Sequence, residues 1–110
     1  MNISARTEGR VVVLEVEGDV DGKTAPAFQE QVLARIEPEG LVLLDLNRVG
    51  FMSSAGLRVL LLTYREVGSR KARVVLVGLN DGVRTSMSAT GFLKYFTVRE
   101  SLAEGLSALE

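Results

Sequence analysis

Two short apolar runs, Leu41-Val42-Leu43-Leu44-Asp45-Leu46 and Val74-Val75-Leu76-Val77, flank a leucine-rich segment, and this arrangement constrains the fold more than any other feature. Each run is apolar on both strand faces except at Asp45, the pattern of central strands covered by helices above and below. The segment between them has helical spacing, beginning at Ser54 or Ser53, running through Val67 and ended by Gly68. A strand, a helix and a second strand joined in this way lie parallel and cross over right-handedly.

The remaining elements attach to that unit. Ile3 to Arg6 and Arg10 to Glu17 have strand composition, and Glu8-Gly9 between them offers the positive φ of a tight hairpin, so the pair is antiparallel. Thr24 is placed to cap a first helix that accepts Pro26 in its first turn. Phe28, Val32 and Ile36 form its buried stripe, and Pro38 and Gly40 end it. Asp81 to Thr90 predicts a third helix with Val83 and Met87 inward and Gly91 at its end, followed by a short strand near Tyr95 to Val98. Ser101 and Glu104 have capping-box spacing, and Leu102, Leu106 and Leu109 give the last helix one apolar face that must dock. The expected architecture is α/β: one domain over residues 1–110, its N-terminal β-hairpin leading into a mixed, mostly parallel sheet with about four helices.

Composition removes several classes of function. The 13 basic and 14 acidic residues are interspersed and leave a formal charge of -1, so no field of one sign attracts nucleic acid or anionic lipid. Cysteine is absent, which removes disulfides, thiolate metal sites and thiol nucleophiles. Histidine is absent too, and with it the commonest general base and metal ligand. The first residues show no basic-then-apolar leader and no run approaches a membrane span, so a cytoplasmic protein without direct membrane insertion is expected.

The motifs that resemble catalytic ones fail on particular residues. Gly22-Lys23-Thr24 looks like the end of a phosphate-cradling loop, but the earlier glycine would fall at Glu17, and Asp19 and Asp21 would repel a polyphosphate. A nucleophile elbow centred on Ser54 needs glycine where Met52 stands, and a histidine. Pairing of Ser54 with Lys23, Lys71 or Lys94 has no local spacing behind it. Asp19, Asp21 and Asp45 are turn-forming carboxylates in this reading, and neither metal nor cofactor is expected.

What remains is Phe51-Met52-Ser53-Ser54-Ala55-Gly56-Leu57, where two hydroxyls stand at the start of a helix. The unpaired amides of a first turn attract negative charge, so a phosphate carried there strains the domain little. The plainer role for Ser54 is an N-cap, which stabilises a helix by about 1 kcal/mol. On a 3.6-residue period Leu57, Leu60, Leu61 and Tyr64 share one side, whereas Val59 and Leu62 point nearly opposite, beside Arg58 and Glu66. Val59 and Leu62 therefore either face outward as a docking patch beside a modifiable hydroxyl, which is the preferred reading, or belong to a helix buried on both sides.

These residues resemble the STAS domain, and within it the bacterial anti-sigma factor antagonists, over nearly the whole chain. Gly18-Asp19-Val20-Asp21-Gly22-Lys23-Thr24-Ala25 is similar to the family's loop after the second strand, with its glycine, acidic residue, aliphatic, aspartate and later Thr/Ser-Ala pair. Asp45-Leu46-Asn47-Arg48-Val49-Gly50-Phe51-Met52-Ser53-Ser54-Ala55-Gly56-Leu57 looks like its signature: strand aspartate, aromatic-aliphatic pair, phosphorylatable serine and Gly-Leu in fixed register. Gly78-Leu79 and Thr90-Gly91-Phe92 resemble its later strand end and the Thr-Gly-Leu closing its third helix. Two positions depart: Ser53 stands where most members have aspartate, and Ala55 replaces a frequent second Ser or Thr.

The resemblance implies that Ser54 is the residue phosphorylated by a cognate kinase, with Ser53 a second potential acceptor. It also implies a partner-binding surface of Asp19, Asp21, Thr24, Ser53, Ala55, Gly56, Arg58, Val59 and Leu62. Unphosphorylated, such a protein binds an anti-sigma factor that is itself an ATP-using serine kinase, and so frees a sigma factor; a PP2C-type phosphatase reverses the modification. The chain would be ligand and substrate rather than enzyme, and a monomer or weak dimer. Two rivals stand beside this: a STAS interaction module of another signalling or transport complex without a working serine switch, and a small hydrolase or phosphoryl-transfer protein using Ser54 with Lys or Asp. A two-component receiver fits poorly, since its acidic doublet is missing and Tyr95, not proline, follows Lys94.

Overall fold

In the computed structural model, which describes residues 1–110, Gly9 takes φ 60° in the two-residue turn between Glu8 and Val11. A β-carbon disfavours that conformation, and glycine there lets the chain reverse at once. Strands β1 (Asn2–Glu8) and β2 (Val11–Glu17) pair antiparallel without interruption, from Asn2 opposite Glu17 to Glu8 opposite Val11. The chain continues as α1 (Ala25–Leu33), β3 (Leu41–Arg48), α2 (Ser54–Ser69), β4 (Arg73–Val77), α3 (Asp81–Ala89), a 3-10 turn (Leu93–Tyr95), β5 (Thr97–Arg99) and α4 (Leu102–Leu109). Strand order in the sheet follows the chain, and every pairing after the hairpin is parallel.

The strands are apolar on both faces because both faces are covered. Leu14, Val16, Val42, Leu44, Leu46 and Leu76 pack with Phe28 and Val32 of α1, Leu57 and Leu60 of α2, and Val83 and Met87 of α3. On the other face Val11, Val13, Leu43, Val75 and Val77 meet Leu109 of α4. Gly105 lets α4 approach closely: a Cβ there would lie 2.5 Å from Val77 Cγ1 and 2.7 Å from Leu43 Cδ1. Beyond the reach of α4 this face turns polar. Arg6 meets Glu15 at 3.3 Å, and Arg48 donates to Glu17 at 2.9 Å.

Several element ends differ from the sequence reading. Ile36 is buried as expected, but it lies past the end of α1, in a turn where its N–H donates to Leu33 O. Gly68 does not end α2. Lys71 takes the left-handed conformation (φ 55°), with Ala72 N–H donating to Val67 O and Lys71 N–H to Gly68 O, so the last carbonyls find partners three residues later than predicted. At α3 the glycine signal holds, with Gly91 at φ 80° and Phe92 N–H donating to Met87 O. The 3-10 turn takes Tyr95 out of the last strand and moves its start to Thr97. Ser101 caps α4, accepting from Glu104 N–H at 3.1 Å and donating to Glu104 Oε1 at 3.0 Å.

Two helical glycines should respond oppositely to alanine. Gly68 has open space around its Cβ position, so Gly68→Ala should raise the urea midpoint by an amount equivalent to about 0.5–1 kcal/mol. Gly105→Ala gains the same propensity but must displace Val77 and Leu43, and should lower stability by about 1–2 kcal/mol. Equal shifts of one sign would rule out the close approach of α4. The Arg48 hydrogen bond, followed by that of Asn2, lowers the Glu17 pKa from its ordinary 4.5. A carboxyl depressed in the folded state contributes stability above its unfolded pKa and loses it as pH falls through the folded value. The urea midpoint should thus be level near neutrality and fall below about pH 4.5, with Glu17→Gln removing part of the fall and high salt weakening it.

Candidate functional site

The ladder between β2 and β3 continues past both strands and joins the two loops that follow them. Gly18 N–H donates to Arg48 O at 3.0 Å, Val20 N–H to Phe51 O at 2.9 Å, and Ser53 N–H to Val20 O at 2.8 Å, which makes Val20 and Met52 a parallel bridge. Both bridge side chains are buried, so by strand alternation their neighbours Asp19, Asp21, Phe51 and Ser53 face outward. This pairing brings the acidic loop and the two-serine segment together.

Within the acidic loop the side chains are occupied with the backbone. Asp21 Oδ1 accepts from Lys23 N–H at 2.9 Å and Thr24 N–H at 3.2 Å, and these bonds hold its carboxyl below the usual aspartate range. Thr24 occupies the N-cap position of α1, but its hydroxyl does not cap. It accepts from Asp21 N–H and donates to Asp19 O, both at 2.9 Å, stitching the loop instead. The Thr24 backbone is already helical (φ -96°, ψ -19°) rather than extended as in a capping residue, and the hydroxyl bonds to the loop. Asp19 is exposed, with Oδ1 3.4 Å from the position of a Cβ on Gly50.

The serines divide two tasks. Ser53, not Ser54, is the N-cap of α2, its Oγ accepting from Ala55 N–H at 3.2 Å. Ser54 is the first helical residue, is exposed, and its hydroxyl makes no hydrogen bond within the chain. The Ser54 and Gly56 amides are likewise without partners in the chain, while Leu57 N–H begins the helical ladder at Ser53 O. Gly56 is buried for a packing reason: a Cβ would lie 2.5 Å from Met52 Cγ and 2.8 Å from Val20 Cγ1. It seats α2 on the bridge and offers no surface to a partner.

The outward patch predicted from Val59 and Leu62 is not formed. Val59 is 2% exposed and Leu62 half-buried, because α1 lies along α2 and covers the side that periodicity left free. The inward face of α2 is Gly56, Leu57, Val59, Leu60, Thr63 and Val67, with the Thr63 hydroxyl donating to Val59 O. Tyr64, grouped with the inward leucines by spacing, is 40% exposed and stacks on Tyr95 at 5.1 Å.

Two grooves lie at the start of α2, and Ser54 itself lines the smaller of them. One, of about 390 Å³ between α1 and α2, is lined by residues including Ala25, Pro26, Leu33, Ala55, Arg58 and Val59, so Val59, though buried, still borders it. The other, of about 230 Å³, is lined by Ser54, Leu57, Arg58, Leu61, Thr90 and Phe92. Arg58 borders both and is exposed. Leu62 lines neither. The sequence reading did not name Leu61, Thr90, Phe92 or the 54% exposed Phe51 as surface residues. Their signal is tertiary, apart from Phe51, whose place in the signature segment was visible.

The STAS domain model matches residues 2–105. The anti-sigma-B factor antagonist of Listeria monocytogenes is 34% identical over 95 residues, covering 83% of this chain and 83% of its own. The anti-sigma-F factor antagonist RsfB of Mycobacterium tuberculosis is 26% identical over 111 aligned positions, covering 99% of this chain and 89% of its own. Among solved structures, an anti-sigma factor antagonist from Mycobacterium paratuberculosis superposes with a TM-score of 0.88 at 28% identity, covering 98% of this chain and 92% of that one. The family match spans the hairpin and the parallel strands, and the chain belongs to the STAS domain family.

Proposed function

We propose that this chain is an anti-sigma factor antagonist that binds an anti-sigma factor kinase through the surface around Ser54 and is released when Ser54 is phosphorylated. One observation carries the reading: the Ser54 hydroxyl is exposed and unbonded at the first position of α2, while Ser53 supplies the cap. Asp19, Asp21 and Thr24 on one side and Ala55 and Arg58 on the other frame it, and the relatives named above are anti-sigma factor antagonists. The chain acts as ligand and phosphoacceptor rather than enzyme. ATP and magnesium are held by the kinase, and a PP2C-type phosphatase returns the serine.

The physical effect of the modification is local. A phosphoryl group adds about −1.5 to −2 charge, which the free amides and dipole of a helix start accommodate. The same charge pressed into a partner surface is desolvated and repelled, so binding changes without refolding. A second reading, a STAS module of another signalling or transport assembly that works without phosphorylation, is favoured by Ser53 standing where the family's aspartate is usual.

Incubation with anti-sigma kinases and Mg-ATP should add one phosphoryl group to the wild type and to Ser53→Ala, and none to Ser54→Ala, by intact mass and site mapping. Ser54→Asp should weaken kinase binding at least about tenfold, equivalent to ~1.4 kcal/mol, with little change in thermal midpoint. Binding of Ser54→Asp as tight as wild type would remove the switch, and modification at Ser53 alone would move it.

A further inference from the structure

Asn80 uses both ends of its side chain. Its Oδ1 accepts from Val83 N–H at 2.8 Å and so caps α3. Its Nδ2 donates to Val49 O at 3.2 Å and Gly50 O at 3.0 Å, thirty residues away in the chain. Those carbonyls belong to the loop whose next residues, Phe51 and Ser53, make the bridge to Val20.

The backbone delivers Asn80 to this place. Gly78, at φ 76°, lies so close to the Asn47 side chain that a Cβ would overlap it. Asn47 is in turn fixed by Asp45, whose Oδ1 accepts from Asn47 N–H at 3.0 Å and Nδ2–H at 2.8 Å. The end of β4 is thereby pressed against the end of β3. A cap needs only an acceptor, and aspartate or serine serves as well as asparagine. An acceptor and two donors on one group require the carboxamide.

We propose that Asn80 is a positioning residue for Ser54: its two donated bonds hold the Gly50–Ser53 segment in register with Val20 and so set how α2 presents the hydroxyl. This rests on the reading of Ser54 as phosphoacceptor. Asn80 acts through the loop backbone and not on the reacting atoms.

Asn80→Asp keeps the cap and loses both donors with an added charge, and Asn80→Ser keeps the cap without charge but replaces the two N–H donors with one shorter O–H, which cannot hold both carbonyls. In both, exchange of the Val20 and Ser53 amides should quicken roughly five- to tenfold, the size expected for losing one or two partly exposed hydrogen bonds. Exchange in the centres of β3 and β4 should stay unchanged. With the kinase and Mg-ATP, KM for the protein substrate should rise about three- to tenfold while kcat holds, as expected when presentation and not chemistry is altered. Unchanged exchange at Val20 and Ser53 overturns the tether. A uniform rise through β3 and β4 makes Asn80 a stability residue and overturns its positioning role, as does local loosening with unaltered KM. If the wild type accepts no phosphate, the reading of Ser54 fails, and the tether is decided by exchange alone.

Discussion

Three backbone hydrogen bonds extend the β2–β3 ladder into the loops beyond it, and the geometry around Ser54 depends on them. They turn Val20 and Met52 into a buried bridge, so the residues on either side of each have no direction left but outward. The bridge is also the floor on which α2 starts, and only glycine at position 56 lets the helix come that close. An acidic loop and a helix N-terminus thirty residues apart in sequence are in this way parts of one surface. A slip in that pairing would move Asp19 and Asp21 relative to the serines and pull Val20 or Met52 out of the core, so the core itself holds the register.

The central strands and α2 were legible because an aliphatic run on both strand faces is a local pattern with few physical alternatives. Gly91 and the Ser101-Glu104 pair were legible for the same reason, each satisfying helix-end groups from within a few residues. The outward face of α2 was not. Periodicity fixes the angles between Val59, Leu60 and Tyr64 around the axis, but not which neighbour covers which side. α1 buried Val59, and Tyr64 lies at the surface, stacked on Tyr95 of the 3-10 turn. Lys71 in place of Gly68 at the end of α2 follows similarly, since a Schellman pair can be closed by a residue whose type gives no warning. Asn80 has an ordinary cap signature, and its donated bonds reach residues that no local window contains.

Ser53 bears on whether a serine switch is physically coherent here. Aspartate and serine cap helices about equally well, and Ser53 does cap, so the exchange leaves the start of α2 intact. What changes is charge. An aspartate beside a phosphoserine would set one negative charge against about two more, at about 0.7 kcal/mol per unit pair at ~6 Å in water and more where solvent is excluded. Serine removes that repulsion from the modified state. The Ser53 hydroxyl accepts from Ala55 N–H and is half-buried, whereas the Ser54 hydroxyl is exposed and without a partner in the chain. In the proposed switch, serine at position 53 therefore makes the phosphorylated state easier for the domain to carry, leaving Asp19 and Asp21 of the neighbouring loop as the charges of this chain that still face the phosphate, together with whatever protein lies against α2.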